Sequence, residues 1–237
     1  MVIYPPAACC RLKGRQETGG FCFSSGRILR TYIYVDGFNL YNRALKGTAY
    51  KWLNLKVLCE HVLNPANEII AVKYYTARVS GERDPDQPRR QQIYFNALET
   101  LPEISIYYGK FLPKKIRRPL VTPVAGLPKF VEVHTIEEKG SDVNLAAHLV
   151  RDGFKDLFDV AVVLSKDTDL IEPMRIVRHE LGKVVGMICP DKDAPQGLKD
   201  VASFVRHITH SRLAAGQFPN PVIAADGTKI NKPADWK

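Results

Sequence analysis

Acidic side chains that could bind a metal ion follow three of the strand-like apolar runs in this sequence. Asp36 comes directly after the run TYIYV, and Asp167 and Asp169 come shortly after VAVVLS. Asp142 follows the run VEVHTI by way of a short polar segment. In an open α/β sheet, ligands bind outside the carboxyl ends of the strands. We therefore expect these four aspartates to converge on one small patch if their strands are neighbours.

Carboxylates at such short range repel each other and raise each other's pKa unless a cation neutralises them. An oxygen-only ligand set, without His or Cys, favours Mg²⁺ or Mn²⁺ over Zn²⁺. Mg²⁺ in particular keeps water ligands and shares the oxygens of a substrate phosphate. The pattern therefore indicates metal-assisted hydrolysis of a phosphodiester, in which a metal-bound water attacks and the protein supplies no nucleophile.

Each aspartate also has a purely structural interpretation. Asp36 followed by glycine is a common turn sequence, and Asp142, Asp167 and Asp169 all stand where they could cap a helix. Structure alone does not require an acid at three separate strand ends. The joint pattern favours a metal site, while each residue taken singly leaves the structural alternative open.

The elements that would position these residues are strands that alternate with helices. Apolar, β-branched runs lie at 31–35, 69–79, 104–111, 131–136, 160–165 and 184–189. Helical patterns lie between most of them, at 53–63, 89–101, 142–152, 169–181 and 198–205. Such alternation predicts right-handed βαβ units and a three-layer α/β/α domain with a mostly parallel central sheet.

The predicted domain covers residues 31–212. Residues 1–30 lack periodicity and are expected to form a disordered basic leader, or else an extension that precedes the native start. Residues 213–237 contain three prolines, which predicts a tail that runs over the surface in extended form. Five cysteines without a C-x-x-C pair are expected to be reduced thiols. We find no signal peptide and no long apolar run, and we therefore expect a cytoplasmic protein without a membrane partner.

The net charge of +9 is concentrated outside the predicted core. Residues 109–130 carry six basic side chains and no acidic one, and their prolines predict an exposed loop or hairpin, which we call the basic arm. A phosphate backbone is one partner for such a segment, and a solvated loop is the alternative. The candidate RNA-binding residues of the arm are Lys110, Lys114, Lys115, Arg117 and Arg118.

Three segments that contain the candidate acids occur in a characteristic order. They are YVDGFNLYN at 34–42, KGSDVNLAAHLVRDG at 139–153 and VVLSKDTDLIEPMRIV at 162–177. Together they resemble the NYN, or LabA-like, branch of the PIN-domain ribonucleases, and the resemblance spans about residues 31–209. It implies a PIN-like fold, a divalent metal ion and RNA cleavage. By position it implies four metal ligands, namely Asp36, Asp142, Asp167 and Asp169. It also implies that Asn39 and Ser165 orient these ligands or the water.

The third segment departs from the usual family pattern S-G-D-S-D-F at two positions. Lys166 replaces the glycine and Leu170 replaces the aromatic residue. Lys166 puts a cation beside the expected metal site, where it could either grip an RNA phosphate or weaken metal binding. We therefore count Lys166 among the candidate RNA-binding residues and leave its effect on activity open.

We expect a metal-dependent ribonuclease that uses Mg²⁺ or Mn²⁺, and more specifically an endoribonuclease. A catalytically inactive PIN-like protein that binds nucleic acid or acts as an adaptor is the first alternative. A phosphohydrolase of small substrates is the second, although its nucleophile would require a D-x-D at the first strand, where Asp36 is followed by Gly-Phe-Asn. The sequence leaves the RNA target and the oligomeric state open.

Overall fold

The computed structural model of the chain describes residues 28–82, 84–122, 126 and 128–236. Within these residues the chain forms a six-stranded parallel sheet with helices on both faces. The predicted three-layer α/β class is therefore confirmed. The leader was expected at residues 1–30, but Leu29 and Arg30 already belong to the first strand of the sheet, and residues 1–27 lie outside the described part of the chain.

The central sheet consists of strands that each pair in parallel with their neighbours. They are β1 (Leu29–Asp36), β2 (Asn67–Thr76), β3 (Ile104–Tyr108), β6 (Val160–Leu164), β7 (Val184–Cys189) and β8 (Phe204–His207). Their order is β3-β2-β1-β6-β7-β8. Strands β4 (Lys110–Pro119) and β5 (Phe130–Lys139) form an antiparallel hairpin outside this sheet. In the tail, β9 (Val222–Ile223) pairs with β10 (Lys229–Ile230).

Helices connect most of these strands. They are α1 (Gly37–Leu40), continued by a π-helical turn at Tyr41–Leu45, α2 (Leu55–Val62), α3 (Gln87–Leu98), α4 (Ser141–Phe154), α5 (Ile171–Arg175), α6 (Gln196–Val201) and α7 (His210–Ala215). A 3₁₀ turn at Thr168–Leu170 precedes α5, and a π-helical turn at Ile176–Glu180 follows it. Among the described residues, we find no helix whose length and apolar character would let it cross a membrane.

The middle strands are buried because helices cover both faces of the sheet. All five residues of β6 are buried, and the core divides into one cluster on each face. Tyr74 and Tyr75 point to opposite faces of β2, and both are buried. Alternate residues of β2 are therefore buried on opposite faces, as expected for a sheet that is covered on both sides.

The run at 131–136 was predicted as a strand of the central sheet, and this prediction is wrong. It forms part of β5, which pairs with β4 instead. A parallel connection needs a crossover of a dozen or more residues, usually a helix, and none of the described residues between β4 and β5 is helical. The chain therefore returns antiparallel to itself, and the basic arm supplies β4 of a hairpin.

Two further predictions need correction at the end of the chain. The helix predicted at 198–205 stops at Val201, because Phe204 and Val205 join the sheet as part of β8. The tail does not simply run over the surface, since Phe218 and Val222 are buried. Trp236 also packs edge-on against the core residue Trp52, with 6.3 Å between the ring centroids. Aromatic burial thus anchors the tail to the domain.

Candidate active site

Asp36 lies at the carboxyl end of β1, which has β2 on one side and β6 on the other. Its side chain caps α1, because Oδ1 accepts a hydrogen bond from the backbone N–H of Asn39 at 2.9 Å. Its Oδ2 accepts a second bond from the Ser165 hydroxyl at 2.8 Å. Only 5% of Asp36 is exposed. The carboxylate is therefore held in one orientation at the middle of the sheet edge.

Burial is the largest influence on the pKa of Asp36 and raises it. The hydrogen bonds from Asn39 and Ser165 act in the opposite direction, and the nearby charge of Asp167 raises the pKa further. The net result is a pKa above the ordinary range. A cation placed beside Asp36 would favour its charged form.

Ser165 directly follows β6 and joins the two loops at this edge. Besides donating to Asp36, its hydroxyl oxygen accepts a hydrogen bond from the backbone N–H of Asp167 at 3.0 Å. Asp167 in turn caps the 3₁₀ turn, where its Oδ1 accepts from the backbone N–H of Asp169 at 3.0 Å. Asp167 therefore has the capping function that the sequence left open, whereas α4 and α5 begin without a side-chain cap from Asp142 or Asp169.

Asp142 lies in the first turn of α4 and faces the same group of acids. Its pKa is raised to about 6, first by burial and then by the charges of Asp36, Asp167, Glu138 and Asp169. Such mutual repulsion requires that these carboxylates share one region of space. The structure thus brings the four aspartates predicted from the sequence to one edge of the sheet.

The path by which Asp142 reaches this edge differs from the prediction. It follows the hairpin strand β5 and not a strand of the central sheet. Gly140, with φ of 101°, makes the reversal from β5 into α4. Glu138 then accepts hydrogen bonds from the backbone N–H of Ser141 at 3.2 Å and from its hydroxyl at 2.7 Å. Glu138 is an additional acid of the patch that sequence reasoning missed, although it lies only four residues before Asp142.

Lys166 forms an ion pair with an acid that was not predicted from the sequence. Its ammonium lies 3.0 Å from both carboxylate oxygens of Asp191, and the Arg43 guanidinium lies 3.8 Å from the same carboxylate. Burial would raise the pKa of Asp191, but hydrogen bonds, above all that from Lys166, hold it below the ordinary range. Asp191 follows β7 after a single proline, so the strand-end rule could have found it. The charge of Lys166 is thus paired with Asp191.

Asn39 fixes the backbone of this same loop, since its Oδ1 accepts a hydrogen bond from the N–H of Lys166 at 3.1 Å. Asn39 and Ser165 together tie the loop after β6 to the turn after β1. The role in orienting the ligands or the water, which the family resemblance implied for these two residues, stays a prediction.

The donor chemistry at this edge suits a hard divalent ion, because the available ligands are carboxylate oxygens. Within the described ranges, no three side chains of the His, Cys, Asp and Glu types are grouped closely enough to hold a metal ion. Asp36 has both oxygens in hydrogen bonds, and Asp169 is exposed. The fit is therefore one of donor type, and the spacing is wider than that of a closed metal site.

A cleft of about 710 Å³ opens beside Asp36 and includes the next two residues, Gly37 and Phe38. The hairpin forms one wall of this cleft, because Phe111 of β4 packs edge-on against Phe38 with 5.4 Å between ring centroids. A separate cleft of about 560 Å³ borders Asn67, the first residue of β2. That cleft lies at the opposite edge of the sheet from the aspartates.

The cations of the basic arm lie on β4 and are partly offset by acids on β5. The two strands together carry six basic and three acidic side chains. Lys114 pairs with Glu137 at 2.9 Å, and the guanidinium of Arg117 lies 5.4 Å from the centre of the Phe130 ring. The hairpin is thus less positive than residues 109–130 alone suggest. We call the four central cations the arm cluster, namely Lys114, Lys115, Arg117 and Arg118.

Comparison with known proteins finds one relative that is named as an enzyme and one matching crystal structure. The chain is 30% identical over 237 residues to 6-hydroxy-3-succinoylpyridine 3-monooxygenase HspA of Pseudomonas putida, with 88% of this chain and 75% of that protein covered. A crystal structure of a Vibrio parahaemolyticus protein of unknown function matches with a TM-score of 0.49 and 17% identity. This match covers 79% of the present chain and 98% of the Vibrio chain.

The NYN domain family matches residues 30–209. This range contains the whole carboxyl edge from Asp36 to Asp191, together with the hairpin. The three segments noted in the sequence therefore identified the family correctly, while assignment to the LabA-like branch stays a prediction. The chain belongs to the NYN domain family, with the three-layer α/β architecture of PIN-like proteins.

Proposed function

We propose that this protein is a metal-dependent ribonuclease of the LabA-like branch, which hydrolyses RNA phosphodiester bonds at the edge occupied by Asp36. The observation that carries the proposal is the placement of Asp36, Asp167 and Asp169 after β1 and β6 and of Asp142 at the start of α4, where burial and four neighbouring carboxylates raise the pKa of Asp142 to about 6. Active sites commonly hold like charges together at a cost in stability. Membership of the NYN family, which belongs to the PIN-like nuclease superfamily, supports the same interpretation.

In this proposal Asp36, Asp142, Asp167 and Asp169 hold Mg²⁺ or Mn²⁺. When bound, the ion supplies a water of lowered pKa and neutralises charge on the phosphate. These side chains must move closer together for this, since no three acids of the described residues are grouped closely enough to hold an ion. Because the pKa of Asp142 is about 6, its protonation competes with the ion at lower pH, and metal binding should strengthen as the pH rises through 6.

Ser165 and Asn39 act on the aspartates and not on the RNA. The Ser165 hydroxyl orients Asp36 and the Asp167 backbone, and the Asn39 amide holds the loop that carries both Ser165 and Asp167. These bonds fix the position of the acids before any ion binds. Such preorganisation lowers the free-energy cost of assembling the site.

The basic arm would hold the RNA backbone, with Lys110 beside the arm cluster. The hairpin adjoins the active edge through Phe111, so RNA bound along β4 could reach Asp36. Lys166 is the weaker member of the proposed RNA-binding set, because a phosphate would have to replace Asp191 as its partner.

The test is cleavage of a mixed RNA by the purified protein in Mn²⁺, in Mg²⁺ and in EDTA. Asp167→Asn should abolish cleavage, whereas Asp200→Asn, which changes an exposed acid on α6, should leave it intact. Cleavage that persists in EDTA and in Asp167→Asn would falsify the proposal. RNA binding without cleavage in any metal would instead support a catalytically inactive nucleic-acid-binding protein.

A second candidate function is oxygenation of a small aromatic compound. The relative from Pseudomonas putida is named as a monooxygenase of a substituted pyridine, and the 710 Å³ cleft beside Asp36 has the size of a small-molecule site. The test is incubation with 6-hydroxy-3-succinoylpyridine, dioxygen and a reduced nicotinamide or flavin. Loss of the pyridine with matching consumption of dioxygen would support this function, and no turnover with either reductant would reject it.

A further inference from the structure

We propose that the cleft beside Asp36 is a binding site for a planar aromatic ring that carries an anionic group. The ring would lie among aromatic side chains, and the anion would lie at two lysines. This inference concerns binding alone and does not require that the protein cleave RNA.

The ring-binding part of the cleft is built from separate stretches of the chain. Phe38 and Tyr41 come from the turn after β1, Phe111 comes from the hairpin, and Trp236 comes from the tail. All four are only partly buried, so they retain surface on which a ligand could pack. Aromatic rings associate through offset or edge-to-face contacts, and a planar ligand can make the same contacts with these side chains.

Buried tyrosines form the inner part of the cleft. Tyr74 and Tyr94 are each 7% exposed, and Tyr94 already donates a hydrogen bond to the carbonyl oxygen of Leu53 at 2.8 Å. The Tyr74 hydroxyl approaches the turn after Asp36 so closely that a Cβ on Gly37 would lie 2.7 Å from it. Tyr74 thus places a polar group against Gly37 in the lining of the cleft, and the absence of a side chain at Gly37 leaves room for it.

The anion-binding part consists of Lys46 and Lys51, which both line the cleft. Within the described residues, neither lysine has an ion pair or a side-chain hydrogen bond. Arg90 also lines the cleft but is paired with Asp84 and lies 3.4 Å from Asp235. Two such lysines beside an aromatic surface complement an anionic ring and would repel a cationic one.

The lining contains one acidic side chain among the described residues, the exposed Glu82. Lys46 and Lys51 outnumber this acid, so the lining remains positive even though Arg90 is paired with Asp84. An apolar ring without charge would leave both lysines unused, and an inorganic anion would leave the aromatic surface unused. The two features together select a ligand that has both parts.

Calorimetric titration of the full chain without metal or RNA tests this inference. Two sources of the ligand are compared, nucleoside 5′-monophosphates and pyridine-3-carboxylate. Adenosine, pyridine and inorganic phosphate serve as the matched ligands that lack one part. We expect saturable binding of at least one anionic ring, with each matched ligand at least about 10-fold weaker. Which source binds more tightly decides whether the site serves a nucleotide or a small aromatic acid.

Variants locate the binding to this cleft. Combined Lys46→Met and Lys51→Met should weaken binding of the anionic ring by about 10-fold or more and should leave the uncharged ring unchanged. Lys199→Met, at an exposed position on α6, is the matched control. Tyr41→Ala should weaken both rings, and melting curves identify any variant that fails to fold. The inference is overturned if no anionic ring binds saturably, or if folded variants at both lysines and at Tyr41 bind like the parent.

Because neither RNA nor metal is present, the titration is independent of nuclease activity. A protein that cleaves RNA but binds no anionic ring would contradict this inference and leave the proposed function intact. A protein that binds the ring but cleaves no RNA would support this inference and contradict the proposed function.

Discussion

Replacement of Asp142 by Asn should stabilise the metal-free protein at neutral and alkaline pH. The carboxyl loses its proton near 3.8 in the unfolded chain and near 6 in the folded one. Between these values the folded state binds more protons, so its stability falls as the pH rises from about 4 to 6 and stays lower above that range. Because Asn carries no charge, the stability of the variant does not fall in this way as the pH rises. Below about pH 4 both forms are uncharged and the difference should disappear.

The size of the effect follows from the pKa difference. A rise from 3.8 to about 6 corresponds to about 3 kcal/mol if it acts in full. Asp142 is partly exposed, so solvent screening should reduce the effect to about 1 kcal/mol. In a chain of this length, about 1 kcal/mol changes the melting temperature by about 2–4 °C.

The assay is a set of melting curves at pH 4 and pH 8, each with and without Mn²⁺. Without metal at pH 8, Asp142→Asn should melt higher than the parent by the amount above, and it should lose most of the stabilisation that Mn²⁺ gives the parent. Asp200→Asn should follow the parent throughout, since this exposed carboxylate on α6 accepts a hydrogen bond from the neutral amide of Gln196. If Asp142→Asn melts lower at pH 8 and still gains the full Mn²⁺ shift, Asp142 is a structural residue and the metal site is wrong.

Two other changes test the supports of the site. Ser165→Ala should lower the free energy of unfolding by about 2 kcal/mol, because the buried Asp36 carboxylate loses a donor and the Asp167 amide loses its acceptor. Urea denaturation measures this, and an unchanged midpoint would mean that the bonds contribute little. Replacement of the whole arm cluster by Ala should flatten the salt dependence of RNA binding by about 0.7 in log–log slope for each RNA phosphate that the arm no longer neutralises. Fewer than four phosphates should be affected, since Lys114 is already paired with Glu137. An unchanged slope would mean that the arm does not contact the RNA backbone.

The strand-end acids could be predicted because local patterns are strong at β1 and β6. β6 is apolar throughout and β1 is apolar from Tyr32 to Val35, and a polar residue that ends such a run in a parallel sheet must lie at its carboxyl edge. Asp36 and Asp167 were therefore placed correctly from sequence. Asp142 lies at the same edge although the preceding strand β5 pairs with β4 and not with the central sheet. Gly140, with its positive φ, lets the chain reverse from β5 into α4.

The partners of Lys166 and the cleft could not be predicted from local patterns. Lys166 and Asp191 are separated by 25 residues and meet because β6 and β7 are neighbours in the sheet. The cleft joins side chains from positions as distant as Phe38 and Trp236. Nothing in either segment indicates the other, since contacts between distant residues depend on how the elements pack.

The amino-acid sequence by itself determined the α/β class, the family and the acids at the strand ends, because each depends on residue type and on periodicity over a few neighbouring positions. The tertiary structure decided that β5 pairs with β4, that Lys166 is neutralised by Asp191, and that an aromatic cleft opens beside Asp36. These features arise from strand pairing, ion pairing and burial between segments far apart in the chain. These interactions contribute to stability only after the segments have come together in the folded chain.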